Sequence, residues 1–173
     1  SVPNQFSNRS SAFIDEEIVK NVFGYPDIDK IDTLLTINGI SSFGDLQINV
    51  ITNDEIAYER IFTKTVSPIE EIWENLESGQ ILIAEPLANR FDLGVNQMLP
   101  LETPAGKKNF KIVGIFSDYT SSQGYIMMTR SVFEKFWNNQ AVTAISINLA
   151  PDKDVNIAVR ELKSRLSQKG QEL

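Results

Sequence analysis

The residues of this chain best placed to do chemistry are three carboxylates and a phenol: Glu85, Asp92, Asp118 and Tyr119. Each carboxylate falls near the end of an expected helix or strand, where sites are often built. Two carboxylates at a defined separation, with unequal proton affinities, make a glycosidase-like acid–base pair. Glu85 and Asp118 are the candidates for such a hydrolase. Each of these residues also has a structural reading. Glu85 precedes Pro86, and an acid before proline is what a helix start selects, since the dipole favours an anion there. Asp118 is a turn-former that accepts backbone N–H bonds. Tyr119 packs its ring and keeps its hydroxyl wet. The structural readings carry more weight, so no catalytic residue is assigned.

Other chemistry is narrowly bounded. The 173 residues include no histidine and no cysteine. Imidazole-based triads, Cys–His pairs, thiolate metal sites and disulfides are therefore excluded. The isolated glycines make neither GxGxxG nor a Walker loop. Asp27, Asp29 and Asp32 fail the calcium-loop pattern, because Asp32 and Asn38 stand where it needs Gly and Glu. No cofactor or metal is expected. The formal net charge of −7 argues against nucleic acid as a partner. That charge is uneven: residues 1–100 carry 16 acidic and 6 basic side chains, and residues 101–173 carry 7 and 10. Arg160, Lys163, Arg165 and Lys169 suit the C-terminal end of a helix, and their sharper reading is proximity to anionic lipid. Asn8-Arg9-Ser10 matches a glycosylation sequon by pattern alone. No apolar run exceeds five residues, so none spans a bilayer. With no initiator Met and no signal peptide, the chain reads as a piece of a longer protein.

The elements that must position these residues follow from periodicity and turn chemistry. Residues 1–12 form a loose polar segment, and 13–173 a single α+β domain. Ile14, Ile18 and Val22 recur at helical spacing, and Gly24 and Pro26 end that helix. Ile28–Ile37 reads as a strand, Asn38-Gly39 as a turn and Asp45–Thr52 as the return strand. Residues 53–66 are expected to hold a short strand or loop around Tyr58–Phe62. "SPIE", Ser67–Glu70, predicts a capping box opening a helix with Ile69, Ile72, Trp73 and Leu76 on one stripe, ending near Gly79. Ile81–Ala84 is a buried strand, followed by a helix that turns Leu87, Ala88 and Phe91 inward and stops at Gly94. A hairpin turns at Pro104-Ala105-Gly106, with Gly114 marking a bulge or a close backbone approach. Tyr125–Met128 is a strand. Thr129 caps a helix bearing Val132, Phe133, Phe136 and Trp137. "AVTAISINL" is a strand, and Asp152 or Asp154 caps a last helix with Val155, Val159, Leu162 and Leu166 inward. Short connections and hairpins argue for mixed sheets rather than a doubly wound fold. The segments 53–66 and 93–98 are places where two lobes would part.

Residues 81–137, "ILIAEPLANRFDLGVNQMLPLETPAGKKNFKIVGIFSDYTSSQGYIMMTRSVFEKFW", resemble the extracytoplasmic domain of FtsX-like and MacB-like ABC transporter permeases. The order of parts is the family's: a strand into the "EPLA" helix, a hairpin over "P-G", then "F-IVGIF-DY" and "GYI-M-R--F---W". The likeness extends over most of residues 13–166. It implies a MacB-like periplasmic core domain with transmembrane helices on both sides, a cytoplasmic ATPase partner and a permease dimer. The domain would lie on the periplasmic or extracellular side and bind a protein, lipid or substrate there. It would move with ATP turnover and hydrolyse nothing. The alternatives are the carboxylate hydrolase and a small-ligand sensor.

Overall fold

The computed structural model describes residues 13–139 and 141–167. The sequon, the segment 1–12 and Lys169 lie outside them. The chain divides into two compact units, one made of residues 1–33 with 141–173 and the other of residues 34–140. The segments 53–66 and 93–98 both lie inside the second unit.

In the first unit, α1 (Glu16–Phe23) turns Val22 inward and leaves Phe23 exposed. β1 (Ile28–Ser41) starts in this unit, and β8 (Ala144–Leu149) is its neighbour in the sheet. Asp154 caps α6 (Val155–Ser167) by accepting from the amides of Asn156 at 2.7 Å and Ile157 at 3.2 Å. The inward stripe expected on α6 is not the buried face. Val155 and Val159 are exposed, Leu162 is half-buried, and Ala158 is buried. α6 packs against α1. The side chain of Leu166 lies outside those described.

In the second unit, six strands close into a ring. β1 pairs antiparallel with β2 (Gly44–Ile51), and β2 runs parallel to β7 (Tyr125–Thr129). β7 pairs antiparallel with β4 (Ile81–Ala84), which runs parallel to β6 (Lys108–Phe116). β6 returns antiparallel to β5 (Met98–Leu101), which meets β1 again at Ser41 and Leu101. The far half of β6 also carries the short β3 (Phe62–Thr65). This is the mixed α+β sheet the sequence implied. β4 is paired on both edges, and its four side chains, which alternate between the two faces of the sheet, are all buried, which suits its continuous apolar run.

Several local expectations are corrected. Asn38-Gly39 is not a turn, because β1 continues to Ser41. A Cβ on Gly39 would stand 2.7 Å from Ile48 Cδ1, so the glycine makes room for the facing strand. The turn lies at Ser42-Phe43. Ser41 Oγ accepts from the Phe43 amide and donates to the Gly44 carbonyl, and Gly44 takes φ +128°. Residues 53–66 hold a helix as well as a strand: α2 (Asp54–Tyr58) is capped by Asn53. The capping box at "SPIE" does not form. Ser67 Oγ accepts from Asn75 Nδ2 instead, and a 3₁₀ turn at Ile69–Glu71 leads into α3 (Ile72–Glu77). Ile72 and Leu76 are buried as expected, and Ile69 is exposed. α4 (Glu85–Phe91) ends at Asp92 in the left-handed region, before Gly94 is reached. Thr129 caps α5 (Arg130–Trp137) as expected. Gly114 marks the expected bulge, since the β4–β6 register shifts beside it; a Cβ there would crowd the side chains of Leu82 and Phe62 rather than another backbone.

Candidate functional site

The loop between β6 and β7 carries two of the sequence candidates, Asp118 and Tyr119. Asp118 Oδ1 accepts from the backbone N–H of Thr120 at 2.9 Å and from its hydroxyl at 2.6 Å, the geometry of an Asx turn. Oδ2 accepts from Tyr125 OH at 2.7 Å and pairs with Arg60 Nη1 at 3.2 Å. Arg60 follows α2, and its guanidinium lies 5.5 Å from the Phe116 ring centroid. Burial alone would raise the Asp118 pKa. The bonds from Thr120 and Tyr125, with the charge of Arg60, more than offset it, and the carboxyl titrates below its ordinary value. Burial first, and then the bond to Asp118, push the Tyr125 phenol up.

A carboxylate with about four acceptor sites, holding four donors, has no free lone pair for proton transfer. Asp118 is thus a tie between the α2–β3 connection, the β6–β7 loop and β7.

Glu85 and Asp118 are held by different partners. Glu85 opens α4, where the dipole favours it, and accepts from Tyr119 OH at 2.5 Å. The bond to Glu85 raises the Tyr119 pKa, which makes the exposed phenol a poor base at neutral pH. Asp92 does a third task, closing α4 at φ 52°. The three carboxylates therefore serve three separate structural ends.

Two surfaces of the second unit escaped the sequence reading. A cleft of about 400 Å³ is lined by Gly79, Lys108, Phe110, Ser131, Lys135 and Phe136. The Nζ atoms of Lys108 and Lys135 lie 5.9 and 5.6 Å from the Phe136 ring centroid. Its lining comes from three distant segments, which no local motif announces. An apolar groove lies where α2 meets the 3₁₀ turn, lined by Tyr58, Ile69 and Glu70. No cluster of three or more metal-ligating side chains occurs among the described residues. In the first unit the basic helix α6 is partly committed: Arg165 stacks over Tyr25 at 5.0 Å, and Tyr25 OH donates to Glu161 at 2.6 Å.

No family profile matches the chain. It is 25% identical over 171 residues to an uncharacterized ABC transporter permease protein of Mycobacterium tuberculosis. The match covers 95% of this chain and 20% of the relative, so the chain spans about a fifth of that protein's length. Among solved structures, the fold is that of the extracellular domain of the noncanonic ABC-type transporter YknZ from Gram-positive bacteria. The TM-score is 0.63 at 8% identity, over 95% of this chain and 88% of that one. It is also that of the periplasmic region of MacB from Actinobacillus actinomycetemcomitans, with TM-score 0.60 and 10% identity over 88% and 72%. The fold expected from the sequence resemblance is the fold found. No described helix is long and apolar enough to cross a membrane.

Proposed function

We propose that this chain is the extracytoplasmic domain of an ABC transporter permease that binds a partner or substrate outside the membrane. It couples that binding to ATP-driven motion of transmembrane helices. The observation that supports this reading most is the double likeness: one fold shared with external domains of two such transporters, and sequence similarity to a permease over nearly the whole chain. Chain order supports it further. Residues 13–33 and 141–167 belong to one unit, and residues 34–140 are inserted between them. Helices flanking the chain on both sides would thus act first on a single unit. In this reading the ATPase partner is cytoplasmic, the permease works as a dimer, and no residue of the chain performs catalysis.

The test is amide exchange on the full-length permease with its ATPase in nanodiscs. Exchange within residues 13–167 is expected to differ between nucleotide-free and ATP-bound, hydrolysis-blocked complexes. Identical exchange would overturn the coupling. The Lys108–Lys135 cleft favours a second reading, small-ligand binding. A thermal-shift screen with anionic metabolites checks it, and a shift that disappears in Lys135→Ala would support it.

A further inference from the structure

We propose that the groove between Tyr58 and Ile69, with Glu70 in its wall, docks a cationic amphipathic segment of a protein partner. The inference rests on the partner-binding part of the reading above and names the partner's chemistry. Ile69 is 45% exposed and Tyr58 37%. Single exposed apolar residues are ordinary, but these two share one groove with an acid, Glu70, in its lining. The groove has a fixed wall, since Tyr58 OH donates to the Glu70 carbonyl at 3.2 Å and joins α2 to the 3₁₀ turn.

Charge says what fits. Residues 54–77 hold seven carboxylates against Arg60 and Lys64, net −5. The rest of the unit, 34–53 and 78–140, balances six acids with six bases. The whole excess of the unit therefore lies in the segment that builds this groove. Arg60 is turned to Asp118 and Phe116, away from neutralising it. Asp54, Glu59, Glu70, Glu71 and Glu74 are exposed, and their carboxylates make no ion pair among the described residues. Apolar anchors in a segment of net charge −5, with Glu70 at the groove itself, select a partner segment with apolar side chains on one face and Lys or Arg around them. A second copy of this unit brings the same acids and is repelled, and anionic lipid is repelled likewise.

The test uses the isolated chain and three synthetic twelve-residue helical peptides: Leu-faced with Lys, Leu-faced with Glu, and Lys without Leu. Amide shifts on titration report the contact. The Leu–Lys peptide is expected to bind at residues 54–74, weakening as salt rises. The other two are expected to bind at least tenfold more weakly. Glu70→Gln with Glu71→Gln and Glu74→Gln should weaken the Leu–Lys peptide at least tenfold, and Ile69→Ser should do so while leaving the fold's amide spectrum intact. Glu102→Gln, remote in sequence, should change nothing. Equal binding of the Leu–Glu peptide, or perturbation centred elsewhere, would overturn the proposal. So would self-association that Ile69→Ser abolishes, or binding to anionic vesicles at the groove. None of these outcomes depends on where the domain sits in the cell, so the functional reading stands or falls separately.

Discussion

Replacing Asp118 with Ala removes the common acceptor of a four-donor network. Its side chain is 11% exposed, and that of Arg60 is 29% exposed. The Tyr125 ring is buried, and its hydroxyl loses its acceptor, an orphaning that costs about 1–3 kcal/mol. Breaking a fully buried pair costs about 3–5 kcal/mol. Arg60 is part-hydrated, so its share is discounted, and about 3 kcal/mol is expected in all. Tyr125→Phe alone should cost about 1 kcal/mol in the parent and should restore about 1 kcal/mol or more in Asp118→Ala, because the orphaned hydroxyl is then gone. Urea unfolding of the chain measures all four proteins. The pH dependence has a definite sign. The folded-state pKa of Asp118 lies below the unfolded value near 3.9, so its contribution is present above that value and lost as pH falls through the folded pKa. Asp118→Asn should therefore flatten the acid limb of the stability curve. A loss under 1 kcal/mol for Asp118→Ala, or the same Tyr125→Phe cost in both backgrounds, would refute the reasoning.

Gly124→Ala should destabilise by about 3 kcal/mol or more, because φ is +67° and a Cβ would meet the Leu87 backbone nitrogen. Gly106→Ala, at φ +91° with open space around it, should cost only about 1 kcal/mol, and thermal unfolding separates the two. Asp154→Ala removes the α6 cap and should lower stability by about 1 kcal/mol, read as faster amide exchange in residues 155–160. Tyr25 ionises at about 12, because its bond to Glu161 raises it. Its contribution is therefore complete below pH 10 and lost as pH rises towards 12. Phenolate absorbance should show that step moving down in Glu161→Gln.

What was legible in the sequence was local. "ILIAEP" announced β4 and α4 because a strand buried on both faces is apolar throughout and Glu-Pro opens a helix. Thr129 and Asp154 act as the caps their types suggest. Asn38-Gly39 misled because a glycine needed for cross-strand clearance looks the same as one needed for a turn, while Ser41 built the turn without Asn-Gly. The α6 stripe misled because periodicity reports an apolar face without reporting whether it is covered. At the candidate sites, the Asp118 turn was readable, but Arg60 is 58 residues away and nothing local pairs them. "SPIE" reads as a helix start, and its carboxylate, Glu70, acquires another meaning only when α2 is placed beside it. Closure of the ring through Ser41 and Leu101 is a tertiary fact that no window of sequence contains.

The side of the membrane on which the domain lies is the most direct test. Single cysteines at exposed Ser122 and Ser146, in a chain with no native thiol, report it in the full-length protein expressed in its host. Both should react with a membrane-impermeant maleimide reaching the external face of intact cells. Labelling only after the inner membrane is opened would contradict the account.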